Sequence, residues 1–281
     1  MTLVDDSLLA PLPVAATGRR WSRRLAGLVF PLVLLGLWQL ISARELISTR
    51  LLPAPGTVAE AFGQFFFGDG TFALAGVVPF TGAGFDHLQA SLGRCLVSWS
   101  LAVVVGTTVG LLLGLSSVAR DLLDPLLNAL RAVPLFAWLP LALVWFGIGE
   151  GAARALIFVG ALWPVVVSVG DSTARVPRVH VETARMLGTP ARALWRKVYL
   201  PSALPEVVTG LRLSLTLAWT CVIVGELTGT DRGVGAMMNA ARETGRTEQV
   251  VVGIVVFAAV GLAFDLTLRR VARRWVAWAA T

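Results

Sequence analysis

Six apolar stretches alternate with short polar or basic connections along the chain. Each is close to the length of about 20 mostly apolar residues that a helix needs to cross a bilayer. The predicted spans are residues 25–43, 95–115, 125–146, 155–170, 207–227 and 249–268. The pattern therefore predicts an all-α integral membrane protein with a bundle of six transmembrane helices.

The third predicted span contains Arg131, Pro134 and Pro140. Prolines inside a span are tolerated where neighbouring helices satisfy the freed carbonyl groups. We therefore expect a broken third helix, buried near the centre of the bundle. The fourth span is short, and the boundaries of the third and fourth spans stay open.

Residues 44–90 separate the first two spans and combine a predicted helix with a glycine-rich stretch. Pro53 and Pro55 precede Thr57 and Glu60, which match a T-x-x-E capping box and predict a helix start. Residues 68–85 are apolar but repeatedly interrupted by glycine and proline, so we interpret them as non-spanning. Their role is open, and a seventh span there is the alternative.

The second span carries Gly106, Gly110 and Gly114, a repeated small-xxx-small pattern. Small residues at this spacing let another helix approach closely. We favour packing within the chain over a dimer seam. Cys95 and Cys221 also lie within apolar runs and are interpreted as packing residues.

Composition agrees with a membrane protein, since 56% of the residues are hydrophobic and only 15% are charged. The net charge of +7 does not indicate nucleic-acid binding, because the arginine clusters flank apolar runs. The apolar run after the first cluster is longer than the core of a signal peptide. Ser42 and Ala43 precede Arg44 and form a poor cleavage site, so a cleaved signal is disfavoured.

The distribution of basic residues predicts the orientation. With a cytoplasmic N-terminus, fifteen of the 24 lysines and arginines lie on the inner side and seven on the outer side. Cytoplasmic loops carry the excess of positive charge. We therefore expect cytoplasmic tails at residues 1–24 and 271–281, a transmembrane domain at 25–270, and a cytoplasmic loop at 177–205 between spans four and five.

That loop reads as two short helices joined by a sharp turn. Pro177 suits a first helical position, and Gly188 suits a left-handed helix end. Thr189 is the predicted N-cap of the second helix, which Pro201 is expected to stop. A solvated amphipathic hairpin resting on lipid headgroups is one interpretation, and docking to a cytoplasmic partner is the other.

Within the first helix, Val181, Ala184 and Leu187 recur at three-residue spacing. This spacing places all three on one predicted contact face.

The residues of this loop resemble the cytoplasmic loop of ABC-importer permeases. Glu182, Ala184 and Gly188 fit the E-A-A and G positions of that signature, with Thr183 in place of the middle alanine, and Leu200-Pro201 fits its L-P ending. The segments ASLGRC, LDPLLNALRAVPLFAWLPLALVWFGIGE and GLRLSLTLAWTCVIVGEL are similar to the nitrate, sulfonate and taurine branch of that family.

This resemblance implies the permease of a type I ABC importer in a bacterial inner membrane. Two permease copies would assemble with two ATPase subunits, which bind ATP and Mg²⁺, and with a periplasmic or lipid-anchored solute-binding protein. The hairpin would couple to the ATPase through the residues at the signature positions and Leu187 beside them, which together are Glu182, Thr183, Ala184, Leu187, Gly188, Leu200 and Pro201. The substrate and the choice between a homodimer and a heterodimer stay open.

The chain's own chemistry agrees with this division of labour. Lys197, the only lysine, follows Arg196, so the chain has no G-K-S/T ending of a P-loop. His87 and His180 do not form an H-E-x-x-H zinc motif. A secondary transporter and a membrane enzyme are the alternatives, but we find neither convincing internal repeats nor a clustered catalytic set.

Polar residues inside the spans are the candidates for the solute pathway, because ionisable groups within a membrane are usually functional. Ion pairing within the protein is favoured over solute contact for Arg131 and Glu226, and Asp265 and Arg212 are further intramembrane charges. The predicted pathway residues are Arg131, Ser214, Thr216, Thr220 and Glu226.

Overall fold

A computed structural model describes residues 20–68 and 82–275 of the protein. Residues 1–19, 69–81 and 276–281, which include most of the predicted tails and of the glycine-rich stretch, lie outside the described residues. The described chain forms two compact units, divided between Thr57 and Val58. Its α-helices are α1 Arg20–Ala43, α2 Pro55–Phe67, α3 Ala83–Leu115, α4 Ser117–Ala132, α5 Leu139–Phe146, α6 Glu150–Ala174, α7 Arg178–Met186, α8 Ala191–Leu194, α9 Leu200–Glu226, α10 Val234–Glu243 and α11 Thr247–Trp275.

The all-α membrane architecture is confirmed, but the described residues contain four or five candidate spans where six were predicted. Within the described residues, four helical segments are long and apolar enough to cross a membrane: Ala83–Leu115, Glu150–Ala174, Arg192–Glu226 and Thr247–Arg274. The bent pair formed by α4 and the segment Leu135–Phe146 is long and apolar enough when its two halves are taken together, which brings the number to five if the pair is one span. The apolar part of α1, Val29–Ala43, is shorter than these.

The third predicted span is broken, as expected, but the prediction that it lies buried near the centre of the bundle is wrong. A short 3₁₀ turn, Leu135–Trp138, separates α4 from α5, and the two halves are bent by 94°. Val133 ends α4 in an extended conformation, because Pro134 disfavours a helical conformation at the residue before it. In the described chain α4 has no buried residue, and α5 buries only Ala142.

Several predicted helix boundaries are also wrong, because a hydropathy pattern detects only the apolar part of a helix and leaves out its polar ends. Helix α3 begins at Ala83, twelve residues before the predicted start at Cys95. The predicted helix after Pro53 exists, but α2 begins at Pro55. Thr57 therefore lies inside the first turn and not at the N-cap, since proline is well suited to the first helical position.

Helix α6 is the centre of the larger unit and packs between α3 and α9. The glycines of α3 make the first of these contacts close. A Cβ on Gly106 would lie 2.8 Å from the Cβ of Val165, and one on Gly110 would lie 2.8 Å from the Val166 carbonyl oxygen. The predicted role of the small-residue pattern in packing within the chain is confirmed, since it seats α3 against α6.

The contact between α6 and α9 also depends on a glycine, and a buried hydrogen bond joins α9 to α11. A Cβ on Gly225 would lie 3.0 Å from the carbonyl oxygen of Ala153. Helix α11 is joined to α9 by Trp219, whose indole N–H donates to the Phe257 carbonyl at 2.9 Å. Cys95 and Cys221 are free and buried, as expected of packing residues.

Replacing Gly110 by alanine is expected to lower the free energy of unfolding of the purified chain by about 1–3 kcal/mol, because the added methyl group meets helix backbone that cannot move aside. Gly93→Ala is the matched control in the same helix, because no atom lies within 4 Å of its Cβ position. We expect Gly93→Ala to be neutral or slightly stabilising. Thermal unfolding in detergent compares the two, and equal midpoints would show that the α3–α6 contact is not tightly packed.

Candidate functional sites: the hairpin and a buried ion-pair network

The turn of the hairpin is set by Gly188. Helix α7 is followed by Leu187 and then by Gly188, whose φ of +74° is in the left-handed region. The Gly188 N–H donates to the Arg185 carbonyl at 2.9 Å, and the Thr189 N–H donates to the Ala184 carbonyl at 3.0 Å. These bonds form a Schellman motif, which satisfies the last carbonyl groups of the helix. The predicted left-handed helix end is confirmed.

The tip of this turn exposes an apolar pair. Met186 is 87% exposed and Leu187 is 81% exposed. Val181 is only 8% exposed, and Ala184 is half-buried. The predicted common contact face of Val181, Ala184 and Leu187 is therefore wrong, because Val181 anchors α7 to the rest of the chain. The other signature residues of α7, Glu182 and Thr183, are exposed.

The second helix of the hairpin differs from the prediction at both ends. Helix α8 has Pro190 and not Thr189 at its N-cap, and no side chain caps it. Pro201 does not stop the helix, because a π-helical turn, Trp195–Tyr199, leads directly into α9. Pro201 lies in the first turn of α9, where its missing N–H is tolerated. Leu200 is exposed beside it.

At the opposite end of α9, the side chain of Glu226 is buried and fully bonded. The residue is 1% exposed. Its Oε1 accepts hydrogen bonds from Arg94 Nη1 at 2.5 Å and from Ser91 Oγ at 2.6 Å. Its Oε2 accepts the N–H of Gly235 at 2.6 Å. A buried carboxylate requires this kind of pairing, because burial removes its hydration.

Glu226 and Ser91 also cap the beginning of α10. The Val234 N–H donates to Ser91 Oγ at 2.9 Å, next to the Gly235 bond to Glu226. Carboxylates are favourable at a helix N-terminus, where the first N–H groups have no partner within the helix. Gly233 precedes α10 with a φ of +144°, and a Cβ there would collide with the Glu226 carboxylate. A glycine is therefore required at position 233, where the backbone comes close to the Glu226 carboxylate.

Arg94 connects the Glu226 carboxylate to α6 and to the loop before α10. The residue is 4% exposed. Its Nε and Nη2 donate to Glu150 Oε1 at 2.8 and 2.5 Å, and Nη2 also donates to the carbonyl of Arg232. Glu150 lies nearer the surface and pairs with Arg154 at 3.3 Å. The ion-pair network, defined as Ser91, Arg94, Glu150 and Glu226, therefore joins α3, α6, α9 and the start of α10.

The structure divides the predicted pathway residues into buried and exposed groups. Glu226 belongs to the ion-pair network, and Ser214 is buried with its hydroxyl donating to the Ala161 carbonyl at 2.6 Å. Thr216 and Thr220 lie on the exposed face of α9 and donate to carbonyls four residues earlier. Arg131 lies in the last turn of α4 and is exposed. The two buried residues have their polar groups occupied by the protein itself.

A second group of charges joins α9 to α11. Asp265 accepts from Arg212 Nε at 2.6 Å and pairs with Arg269 Nε at 2.7 Å. The sequence favoured ion pairing for Glu226 and Arg131, and of these Glu226 pairs with Arg94. Across residues 20–68 and 82–275, no group of three or more His, Cys, Asp or Glu side chains is arranged to hold a metal ion.

The sequence reasoning missed three members of the ion-pair network. The charge count placed Arg94 in an outer loop, although it lies inside α3. One signal was available, because an intramembrane Glu226 requires a cationic partner and Ser91 and Arg94 share a helix face at three-residue spacing. No local pattern indicated Glu150, since its contact with Arg94 joins residues 56 positions apart.

Known proteins resemble this chain over most of its length. It is 38% identical to the taurine transport system permease protein TauC of Escherichia coli, over 88% of this chain and 86% of that protein. It is 34% identical to the "Putative aliphatic sulfonates transport permease protein SsuC" of Bacillus subtilis, over 93% of this chain and 90% of that protein. A structure of the MetNI methionine ABC transporter, in an inward-facing conformation, shares the fold with a TM-score of 0.59 at 23% identity, covering 68% of this chain and 95% of that chain.

Residues 103–277 match the model of a protein family that is described as "binding-protein-dependent transport system inner membrane component". This match confirms the resemblance inferred from the loop signature and excludes the alternatives of a secondary transporter and a membrane enzyme. The family implies an ABC ATPase and a substrate-binding protein as partners. This chain therefore belongs to the family of inner-membrane permease components of binding-protein-dependent ABC transport systems.

Proposed function

We propose that this chain forms half of the translocation pathway of an ATP-driven importer for a small solute with an anionic group, such as a sulfonate, taurine or nitrate. The proposal for the solute rests on the relatives, which are named for transport of taurine and of aliphatic sulfonates. A nitrate import permease protein, NrtB of Synechocystis, is 31% identical over 83% of this chain. These solutes share a small, delocalised negative charge.

The proposed assembly contains two copies of this chain, two ATPase subunits and a periplasmic or lipid-anchored solute-binding protein. ATP and Mg²⁺ would be bound by the ATPase, in keeping with the missing P-loop lysine in this chain. Both termini would lie in the cytoplasm of a bacterial cell. The excess of basic residues on that side supports this orientation.

The hairpin is the proposed contact with the ATPase, and one observation carries this proposal. The apolar pair Met186 and Leu187 is held outward on a fixed Schellman turn, and the hairpin continues without a break into the helical segment Arg192–Glu226. A protein surface that exposes apolar side chains at a rigid turn is suited to contact a partner. Movement of the ATPase would then be transmitted along α9. The proposed coupling residues are Glu182, Thr183, Ala184, Leu187, Gly188, Leu200 and Pro201.

The exposed polar residues are the proposed contacts for the solute. Arg131 would attract an anion, and the face of α9 with Thr216 and Thr220 would form part of the pathway wall. Ser214 and Glu226 would act indirectly, because their polar groups hold α9 against its neighbours.

The purified chain is expected to hydrolyse no ATP and to support no solute uptake in proteoliposomes, whereas the complex with its ATPase and binding protein imports an anion when ATP is supplied. The physical reason is that nucleotide binding requires a phosphate-binding loop that this chain lacks. Comparison of uptake of taurine, isethionate and nitrate tests the solute class. Hydrolysis by the isolated chain, or ATP-independent uptake by the complex, would contradict the proposal.

Gly188→Val is expected to reduce coupled uptake far more than expression or membrane insertion. A β-branched residue in the left-handed conformation costs about 1–2 kcal/mol, and the turn relieves this by redirecting Met186 and Leu187. No atom lies within 4 Å of the Cβ position of Gly188, so a collision does not contribute. Uptake and ATP hydrolysis by the reconstituted complex are the measurements.

Gly245→Val is the matched control for this variant. Gly245 has a φ of +70° and no atom within 4 Å of its Cβ position. It also ends α10 with the same pair of hydrogen bonds, from Gly245 to Arg242 and from Arg246 to Ala241. The backbone strain is therefore comparable, but the site lies at the opposite end of the bundle. Equal losses of uptake in both variants, or full uptake by Gly188→Val, would remove the coupling role from this turn.

A further inference from the structure

A polar cleft of about 200 Å³ lies between α3, α4 and α6, towards the hairpin end of the bundle. It is smaller than the roughly 300–1,000 Å³ typical of sites for drug-sized ligands, so it suits only a small solute. Its walls are one face of α4, Leu113 of α3, and the part of α6 between Trp163 and Asp171. The polar and aromatic side chains that line it are Arg120, Asp124, Asn128, Arg131, Trp163 and Asp171.

Three of the four charged groups that line the cleft lie along α4. Arg120, Asp124, Asn128 and Arg131 recur at intervals of three or four residues, which places them on one face of the helix. Among the described residues, Asp124 and Arg131 make no ion pair, whereas Asp171 pairs with Arg175 at 3.1 Å. The Arg120 Nε donates to the Leu113 carbonyl at 3.1 Å. One carboxylate and one guanidinium therefore remain available to a ligand.

We infer that this cleft is a site for a small zwitterion carrying a sulfonate group and an ammonium group, with Arg131 binding the sulfonate and Asp124 binding the ammonium. This inference rests on the proposed function, because it places the site within an anion importer. It goes further by assigning a selective residue for the cationic end of the solute.

The unpaired charges of the cleft favour a zwitterion over a simple anion. Asp171 is already paired with Arg175, so a solute meets Arg120, Asp124 and Arg131, and Asp124 repels a simple anion placed at Arg131. A solute with both signs can pair each group with its opposite. Asp124 and Arg131 are two helical turns apart, roughly 10 Å along the axis. The arginine side chain leans towards the N-terminus of α4, which shortens the gap that a two-carbon zwitterion has to bridge.

Two sulfonates that differ only at the other end separate the roles of the two residues. Taurine carries an ammonium group where isethionate carries a hydroxyl group. Binding of each radiolabelled sulfonate is measured on the purified permease–ATPase complex in nanodiscs, with the solute-binding protein omitted so that it contributes no selectivity. The variants are Asp124→Asn and Arg131→Gln. Asp121→Asn is the control, because Asp121 is an exposed residue of α4 that does not line the cleft.

The wild-type complex is expected to bind taurine more tightly than isethionate. Asp124→Asn should weaken taurine binding about tenfold and change isethionate binding less than about twofold, because only taurine loses a charge-assisted hydrogen bond. Arg131→Gln should weaken both about tenfold. Asp121→Asn should change neither.

Three results overturn the inference: no binding of either sulfonate by the wild-type complex, equal affinities for the two, or an unchanged preference in Asp124→Asn. The proposed function is tested separately by ATP-driven uptake with the binding protein present. If that complete system imports neither sulfonate nor nitrate, the proposed function fails. If it imports them while Asp124→Asn retains the wild-type preference in the binding assay, only the inference about the cleft fails.

Discussion

The carboxylate of Glu226 has to be neutralised within the bundle, and the arrangement of one end of the structure follows from this requirement. Arg94, Ser91 and the first N–H groups of α10 all converge on it. An ion pair at this depth contributes little net stability, but a missing partner leaves an uncompensated charge. The pairing therefore specifies which helices meet, and it fixes α10 to the ends of α3 and α9.

Close packing carries this arrangement along the rest of the bundle. Gly106, Gly110 and Gly225 allow α6 to approach α3 and α9 with backbone nearly in contact. The helical segment Arg192–Glu226 runs for 35 residues, about 50 Å, from the hairpin to the ion-pair network. A displacement at the hairpin would thus reach the network through one continuous element. The proposed coupling would therefore be transmitted along the helix itself, and it does not depend on a chain of side-chain contacts.

Local features of the fold could be predicted from the sequence, whereas features set by distant residues could not. Gly188 ends α7 in the left-handed conformation because the requirement is confined to a few neighbouring residues. The family resemblance likewise rested on a short signature. The continuation of the helix through Pro201 was missed, because a π-helical turn depends on the packing around it.

In the candidate site, too, single residues could be predicted from the sequence but their distant partners could not. Glu226 was recognised as an unusual intramembrane charge, but its partners Arg94 and Ser91 lie more than 130 residues away in the sequence. The exposed position of α4 was also missed, because hydropathy indicates an apolar segment without indicating which surface covers it. Arg131 and Asp124 line the same cleft, and this cleft forms only because α4 lies beside α6 in the fold.

The central claim is that Glu226 and Arg94 act as one unit, and a double-mutant cycle tests it most directly. Arg94→Gln is expected to lower the free energy of unfolding in detergent by about 3–5 kcal/mol, since it leaves the buried Glu226 carboxylate without a cationic partner. Glu226→Gln should lower it by less, because Arg94 keeps its ion pair with Glu150. The double variant should cost clearly less than the sum of the two. Arg154→Gln, which removes an exposed partner of Glu150, should cost no more than about 1 kcal/mol. Additive losses at Arg94 and Glu226 would contradict the account, because they would show that the two side chains contribute independently.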